Sequence, residues 1–278
     1  MRSVRPSNAE WRDIIRQSIP AAEQAAGSFC HHPGLNGGTL RLVTQVGPLS
    51  LRRAMSDAMP GVSLSRHYRA LKRMAPQLAP TPRGLESGYL IAEWLEGEVV
   101  ERLPPLPQLA GLLYHLHHRP LFGWRITLRP LLAFYWGQAD PARRSLDWLQ
   151  QWQRLARQGE PHPLRLAPLH MDIHAGNLVW QPDGLRLIDW EYAGDGDVAL
   201  ELAAVVVESH TRRRELVAEY ARQARIDSGV LQRQVARWRP WARLLMASWY
   251  ECRWQQTGDR TFIRQADEAW HRLRHKQD

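Results

Sequence analysis

HMDIHAGNLVWQPDGLRLIDW, residues 170–190, is the stretch on which the reading of this chain turns. Leu178-Val179-Trp180 and Leu185-Arg186-Leu187-Ile188 read as two short strands, and Gln181-Pro182-Asp183-Gly184 between them supplies the dihedrals of a tight turn. Such a hairpin brings its open ends together. Asn177 enters it and Asp189 leaves it, so an amide oxygen and a carboxylate that are distant in sequence become neighbours. Both are hard oxygen donors of the kind that Mg²⁺ takes together with substrate phosphates and water. Asp172 lies in the loop feeding the hairpin, placed to act on whatever the metal-bound phosphate meets.

Upstream, GLNGGTLRLVTQVGPLSLRRA (34–54) reads as a glycine-rich turn, a strand near Thr39 to Gln45, a turn at Val46-Gly47-Pro48 and a second strand from Leu49 to Arg53. The spacing of Leu64, Tyr68 and Leu71 predicts a helix over 61–74 that stops before Pro76. GYLIAEWL (88–95) is a further β-rich run, and Leu95-Glu96-Gly97 marks a lobe boundary. Beyond it the text turns helical. Leu109, Leu112, Leu113 and Leu116 define a buried helix ending at Arg119-Pro120, and 140–159 reads as one helix with Asp140 as N-cap, Pro141 in first position and Gly159 as its stop. Residues 197–223 and 230–275 are mostly helical, with Pro240 marking a break or a start. The expectation is an α+β fold in two lobes: a small β-rich lobe over 1–96 that handles a nucleotide, and a larger helical lobe over 97–278 for catalysis and substrate.

Composition narrows the function classes. No apolar run approaches the roughly 20 residues that span a bilayer, and the N-terminus lacks the apolar core of a signal peptide, so a soluble cytoplasmic protein is expected. Two distant cysteines, Cys30 and Cys252, fit a reducing compartment without a disulfide framework. The net charge of +9 is concentrated in residues 211–278, where arginines are spread through helical text as on a solvated face. No nucleic-acid motif accompanies them, so neither a nucleic acid, a membrane nor an obligate protein partner is expected. Lysine occurs only at Lys72 and Lys276.

His170-x-Asp172, four residues, Asn177 and then Asp189 has the spacing of the protein-kinase-like catalytic loop with its metal-binding aspartate. That template makes Asp172 the group that orients and deprotonates a substrate hydroxyl, with Asn177 and Asp189 holding Mg²⁺ against ATP phosphates. Ile188-Asp189-Trp190-Glu191 lacks the glycine of a switching activation loop, which favours a small-molecule kinase. For the nucleotide, backbone groups of Gly34, Asn36, Gly37, Gly38 and Thr39 can approach phosphates. Arg52, with Arg53 as fallback, takes the position of the usual lysine. The helix that should supply its glutamate partner presents His67 or Arg66 instead, which leaves open what orients Arg52. Glu93 and Leu95 stand where a hinge would meet adenine.

The chain resembles the aminoglycoside phosphotransferase and choline kinase superfamily in GLNGGT (34–39), PLHMDIHAGNLV (168–179) and LIDWEYAGDGDVALELAAV (187–205). LAGLLYHLHHRPLFGWRITLRPLL (109–132), YWGQADPARR (135–144), RWRPW (237–241) and WYECRWQQTGD (249–259) are similar to its bacterial thiamine-kinase branch. The resemblance implies a protein-kinase-like fold and transfer of the ATP γ-phosphate to the hydroxyethyl group of thiamine. A cationic thiazolium suits aromatic faces and carboxylates, for which Trp190, Glu191, Asp195, Trp249, Glu251 and Trp254 are candidates beside Asp172. Asp197 reads as a helix cap, Glu201 as a brace for the loop, and His115, His117 and His118 as structural or surface groups. Three alternatives stay open: a kinase of another cationic alcohol of choline or aminoglycoside type, a metal-dependent hydrolase using His170, Asp172, His174 and Asp189, and a non-catalytic binding protein.

Overall fold

Apolar alternation builds a sheet at the N-terminal end, and helical periodicity takes over after residue 105. The computed structural model describes residues 29–32, 39–44, 47–54, 59–86 and 88–275. In chain order these form β1 (Phe29–His32), β2 (Thr39–Thr44), β3 (Gly47–Arg53), α1 (Leu64–Met74), β4 (Pro82–Glu86), β5 (Tyr89–Glu93) and β6 (Glu98–Val99). They continue with α2 (Leu106–His117), α3 (Leu128–Gln138), α4 (Leu146–Gln158), β7 (Leu166–Leu169), β8 (Leu178–Gln181), β9 (Gly184–Leu187) and β10 (Gly194–Asp197). Four helices complete the chain: α5 (Val198–Ala204), α6 (His210–Ala224), α7 (Ser228–Thr257) and α8 (Arg260–His275). Two compact units emerge: the described residues up to Val100 with Gly176–Ala193, and Glu101–Ala175 with everything from Gly194 onward.

In the first unit, five antiparallel strands run in the order β1-β2-β3-β5-β4. Leu42, Leu49, Leu51, Tyr89 and Ile91 pack together with Leu40 against them. Helix α1 begins later than the expected residue 61, because the Ser63 hydroxyl accepts the Arg66 N–H at 3.2 Å and fixes the first turn there. It buries His67, Ala70, Leu71 and Met74, so the inward residue is His67, while Arg66 donates to the Gly61 carbonyl. The hairpin pairs Leu178 with Leu187 and Gln181 with Gly184 across a Pro182-Asp183 turn. It joins this unit through three backbone stitches: β6 pairs Glu98 with Trp180, Val100 N–H donates to Leu178, and Leu187 N–H donates to Leu78. Close approach at β6 requires Gly97, where φ is +152° and a Cβ would lie 2.1 Å from the Trp180 carbonyl oxygen.

In the second unit, β7 and β10 form an antiparallel pair, and Gly194 and Gly196 leave room for Ile126 and Leu169 over it. The expected helix over 140–159 divides. Asp140 caps only a 3₁₀ turn (Pro141–Arg143), and Ser145 caps α4, which stops at Gly159 as expected. Pro240 does not break α7. Trp238 and Trp241 are buried on either side of it, and the Asp197 carboxylate accepts N–H groups from Gln234 and Trp238, so packing outweighs one missing helix bond. Asp197 also caps α5, as its sequence position indicates. Helix α3 was not anticipated, and Glu160 caps it by accepting the N–H groups of Leu128 and Arg129 at 2.8 Å each. None of the helices among the described residues is long and apolar enough to cross a membrane.

Asp195, expected at the acceptor, is 3 % exposed and accepts the N–H groups of Phe122 and Gly123 at 2.7 Å each. Its carboxylate organises the loop before α3. Asp195→Ala should lower unfolding stability by about 1–3 kcal/mol, the cost of leaving a buried N–H without an acceptor. Urea unfolding reads this directly, and unchanged stability would remove the structural assignment.

Candidate active site

The antiparallel register places Arg52 in β3 directly opposite Thr39, the first described residue after the glycine-rich stretch of the sequence. Gly34, Asn36, Gly37 and Gly38 lie outside the described residues. Strand alternation puts Arg52 on the face opposite the buried Leu49 and Leu51, where it is partly buried, and Arg53 at the strand end is exposed. The Arg52 guanidinium donates to Asp189 at 2.5 Å and to Glu191 at 2.7 Å, so both arms of its planar fork are engaged. Burial works against its charge, but Asp189 and Glu191 outweigh that and push its proton affinity above the ordinary arginine value.

The hairpin sets up this clasp. Ile188 N–H donates to the Asn177 carbonyl at 3.0 Å, so the strand ends stay joined one step beyond the Leu178–Leu187 pair. Asn177 is buried and ends a 3₁₀ turn that starts at Ala175. Asp189 then adopts the left-handed conformation, φ 65° and ψ 60°, and opens a 3₁₀ turn over Trp190–Tyr192. Trp190 is fully buried with its indole N–H on the Leu187 carbonyl at 2.9 Å. The ring therefore serves as a plug that anchors the turn, where an acceptor face was expected. Glu191, likewise expected at the acceptor, answers the open question of what orients Arg52. It comes from the turn after the hairpin, and the helix position that the usual glutamate would occupy holds His67.

Of the expected adenine contacts, Glu93 ends β5 with its carboxylate on Arg83 at 2.6 Å and its N–H on the Thr81 carbonyl. Leu95 is half-buried in the loop that follows.

Asp172 belongs to the second unit, half-buried just after β7. Its N–H donates to His170 Nδ1 at 3.2 Å, and His174 Nε2 lies 3.8 Å from its carboxylate. Met171 between them is left-handed, with φ 68°. The buried carboxylate of Glu201 accepts the His170 N–H at 2.9 Å and the Met171 N–H at 2.6 Å. His117 Nε2 stands 3.4 Å from the same carboxylate, and His117 Nδ1 is 2.7 Å from the Tyr220 hydroxyl. Burial would push the Glu201 carboxyl up, but the hydrogen bond and charge of His117, together with His170, hold it below its ordinary value. The carboxylate stays ionised. These contacts give Glu201 the bracing role that its place in the sequence suggested.

Tyr250, which sequence reasoning missed, also senses Asp172. Burial raises its phenol above the ordinary tyrosine value, with Arg272 opposing and the charges of Asp172 and Glu268 adding to the rise. Trp249 meets Tyr250 and Phe262 edge-on, and its cation partner is the internal guanidinium of Arg253, 5.9 Å from the ring centre. Glu251 is 1 % exposed, held by two arms of Arg143 and by the Trp270 indole at 2.8 Å. It secures helix packing, where a substrate contact was expected. Trp254, on the last turn of α7, is half-buried. Among the described residues, no three His, Cys, Asp or Glu side chains are arranged to hold a metal.

Residues 34–241 match the phosphotransferase enzyme family, and the chain belongs to it. It is an ATP-dependent kinase of that family. Its relatives include the thiamine kinase of Salmonella typhimurium (strain LT2), 51% identical over 276 residues that cover 99% of this chain and 100% of the relative. The thiamine kinase of Escherichia coli O157:H7 is also 51% identical, over 88% of this chain and 89% of its own. Among solved structures, choline kinase LicA from Streptococcus pneumoniae superposes with a TM-score of 0.76 at 16% identity, covering 96% of this chain and 99% of that one. LicA in complex with AMP gives 0.73 at 15% identity, covering 97% and 99%. The fold is therefore that of the choline kinases, with a small antiparallel sheet region and a larger helical part, as the resemblance implied.

Replacing Glu191 by Gln removes one charge-assisted arm of the Arg52 clasp. The expected result is a rise of about ten-fold or more in the KM for ATP, corresponding to about 1.5–3 kcal/mol. An ATP titration measures it, and an unchanged KM would show that Arg52 needs no tether.

Proposed function

We propose that this chain transfers the γ-phosphate of ATP to the hydroxyethyl group of thiamine, giving thiamine monophosphate and ADP, as a salvage reaction of the cytoplasm. The observation that carries the reading is the 51% identity to a thiamine kinase over the full length of both chains. The AMP complex of the structurally similar LicA supports an adenine nucleotide as co-substrate.

In this proposal Asp172 orients the thiamine hydroxyl and accepts its proton as the oxygen attacks phosphorus. Asn177 and Asp189 fit Mg²⁺, because they offer an amide and a carboxylate oxygen from joined strand ends and leave the remaining positions to phosphate and water. The ion, when bound, offsets charge on the phosphate oxygens. Arg52 contributes a fixed positive charge next to Asp189, and Glu191 gives its guanidinium a second anchor that does not depend on Asp189. Thr39, opposite Arg52 in the sheet, and the glycines that precede it in sequence supply backbone N–H groups for the phosphates.

The test is ADP release by the purified chain with Mg-ATP and, in turn, thiamine, choline, an aminoglycoside or no acceptor. Thiamine-dependent turnover is expected, and turnover with another alcohol alone would discard the acceptor. Asp172→Asn should keep the affinity for Mg-ATP and lose on the order of 10²–10⁴ in turnover. For Asp189→Ala the expected outcome is loss of activity together with loss of the Mg²⁺ dependence. A metal titration that matched the parent protein would rule out the hairpin as the ion's seat.

A further inference from the structure

Side chains opposite one another in an antiparallel sheet share a face, and that rule sorts the face carrying Arg52 into three rows. Thr39, Arg52 and Leu90 form the first row, and Arg41, Ser50 and Ala92 form the second. Val43 and Pro48 begin the third, which Trp94 closes by donating its N–H to the Pro48 carbonyl at 2.9 Å. Successive rows lie about 7 Å apart, two residues of strand rise. Arg52 is engaged by Asp189 and Glu191, and the Ser50 hydroxyl donates to the Ala92 carbonyl at 3.3 Å. Arg41 is differently placed. Its guanidinium lies over the Trp94 ring, 5.4 Å from the ring centre, and the nearest described carboxylate, Glu96, stands 4.0 Å off and is 72 % exposed. Water screens such a pair. Arg41 Nε is buried with no acceptor among the described residues, yet 30 % of the side chain is open.

A permanent cation therefore stands one row beyond Arg52 with N–H donors to spare and a planar face to offer. The sheet extends from Arg52 in that direction only, because Thr39 opens β2 and Arg53 ends β3. A nucleotide with its phosphates at Arg52 and Thr39 carries sugar hydroxyls and an aromatic base toward the second and third rows. We propose that Arg41 is a second nucleotide-binding cation, which holds the nucleoside half of ATP with its plane against the base, its N–H groups on the sugar oxygens and Trp94 behind it. The inference rests on the placing of the phosphates at Arg52 and deepens it. A guanidinium suits this post, since it stacks on a flat ring and donates from its edge at once.

The experiment compares two ligands on the full-length chain in the presence of Mg²⁺: ATP, and inorganic tripolyphosphate, which has the phosphates but neither sugar nor base. Calorimetric Kd values give the advantage of ATP over tripolyphosphate, and that ratio isolates the nucleoside half. Arg41→Ala should cut the ratio by about 5–30-fold, the scale of one cation–π contact with a charged hydrogen bond, by raising the Kd for ATP alone. The kcat at saturating ATP should stay within about two-fold, as for a contact made equally in ground and transition states. Arg41→Met keeps an apolar stem beside Trp94 and should lower the ratio likewise, which separates the lost guanidinium from lost packing and serves should the alanine variant fail to fold. An unchanged ratio, or tripolyphosphate weakened as much as ATP, would overturn the proposal. Glu191→Gln supplies the contrast and should weaken both ligands together. If it weakens neither, the phosphates do not sit at Arg52, whereas the ratio in the Arg41 variants still decides the nucleoside contact.

Discussion

The grip of one guanidinium on two carboxylates governs the first unit. Arg52 sits in the middle strand of the sheet, and Asp189 and Glu191 come from a turn more than a hundred residues later. For all three to meet, the hairpin must lie alongside the sheet's own chain segment. The backbone stitches from Leu187 to Leu78 and from Val100 to Leu178 provide that constraint. The ion pairs are partly buried, so their charges are screened less than a surface pair's. Trp190, between the two acidic residues in sequence, is fully buried with its N–H on the Leu187 carbonyl and anchors the turn that carries them.

A second theme is the treatment of buried acids. Asp195, Asp197, Glu201 and Glu251 are nearly inaccessible, and each is met by N–H donors from backbone, indole, amide or guanidinium. Burying a carboxylate is tolerable only with such company. The same arithmetic explains why carboxylates that looked suited to a cationic acceptor serve the framework. An acid committed to two or three internal donors has little attraction left for a ligand. The half-buried Asp172 stands apart from these four.

The hairpin was legible because Pro, Asp and Gly in a row leave the backbone few choices, and β2 and β3 were legible as two strands, although Gly47 and Pro48, expected in the turn, open β3 opposite Thr44 and Val43. Helix ends marked by Ser, Asp or Gly were legible to within a few residues, although the cap of α4 was Ser145 and the Asp140-Pro141 signal served a shorter turn. Helix α3 escaped notice because Pro130 interrupts its text and its cap, Glu160, lies far along the chain. Pro240 misled in the opposite direction, since local chemistry reports a missing N–H and says nothing of the tryptophans that hold the helix together. The pairing of Glu191 with Arg52 had no local signal. Its nearest trace was negative: a helix without an acidic residue at the inward position, which required that the partner come from elsewhere.

The choice of arginine at residue 52 reaches beyond geometry into reactivity. Kinases that hold phosphates with a lysine amine expose that amine to acylating nucleotide analogues and, in cells, to acetylation. A guanidinium takes part in neither reaction and keeps its charge at any pH a cell reaches. The chain has only two lysines, and Lys72 projects from α1 with its ammonium over the Tyr68 ring, outside the Arg52 clasp. Amine-directed reagents therefore have no target at residue 52, and the charge beside Asp189 is beyond the reach of the modifications that neutralise a lysine.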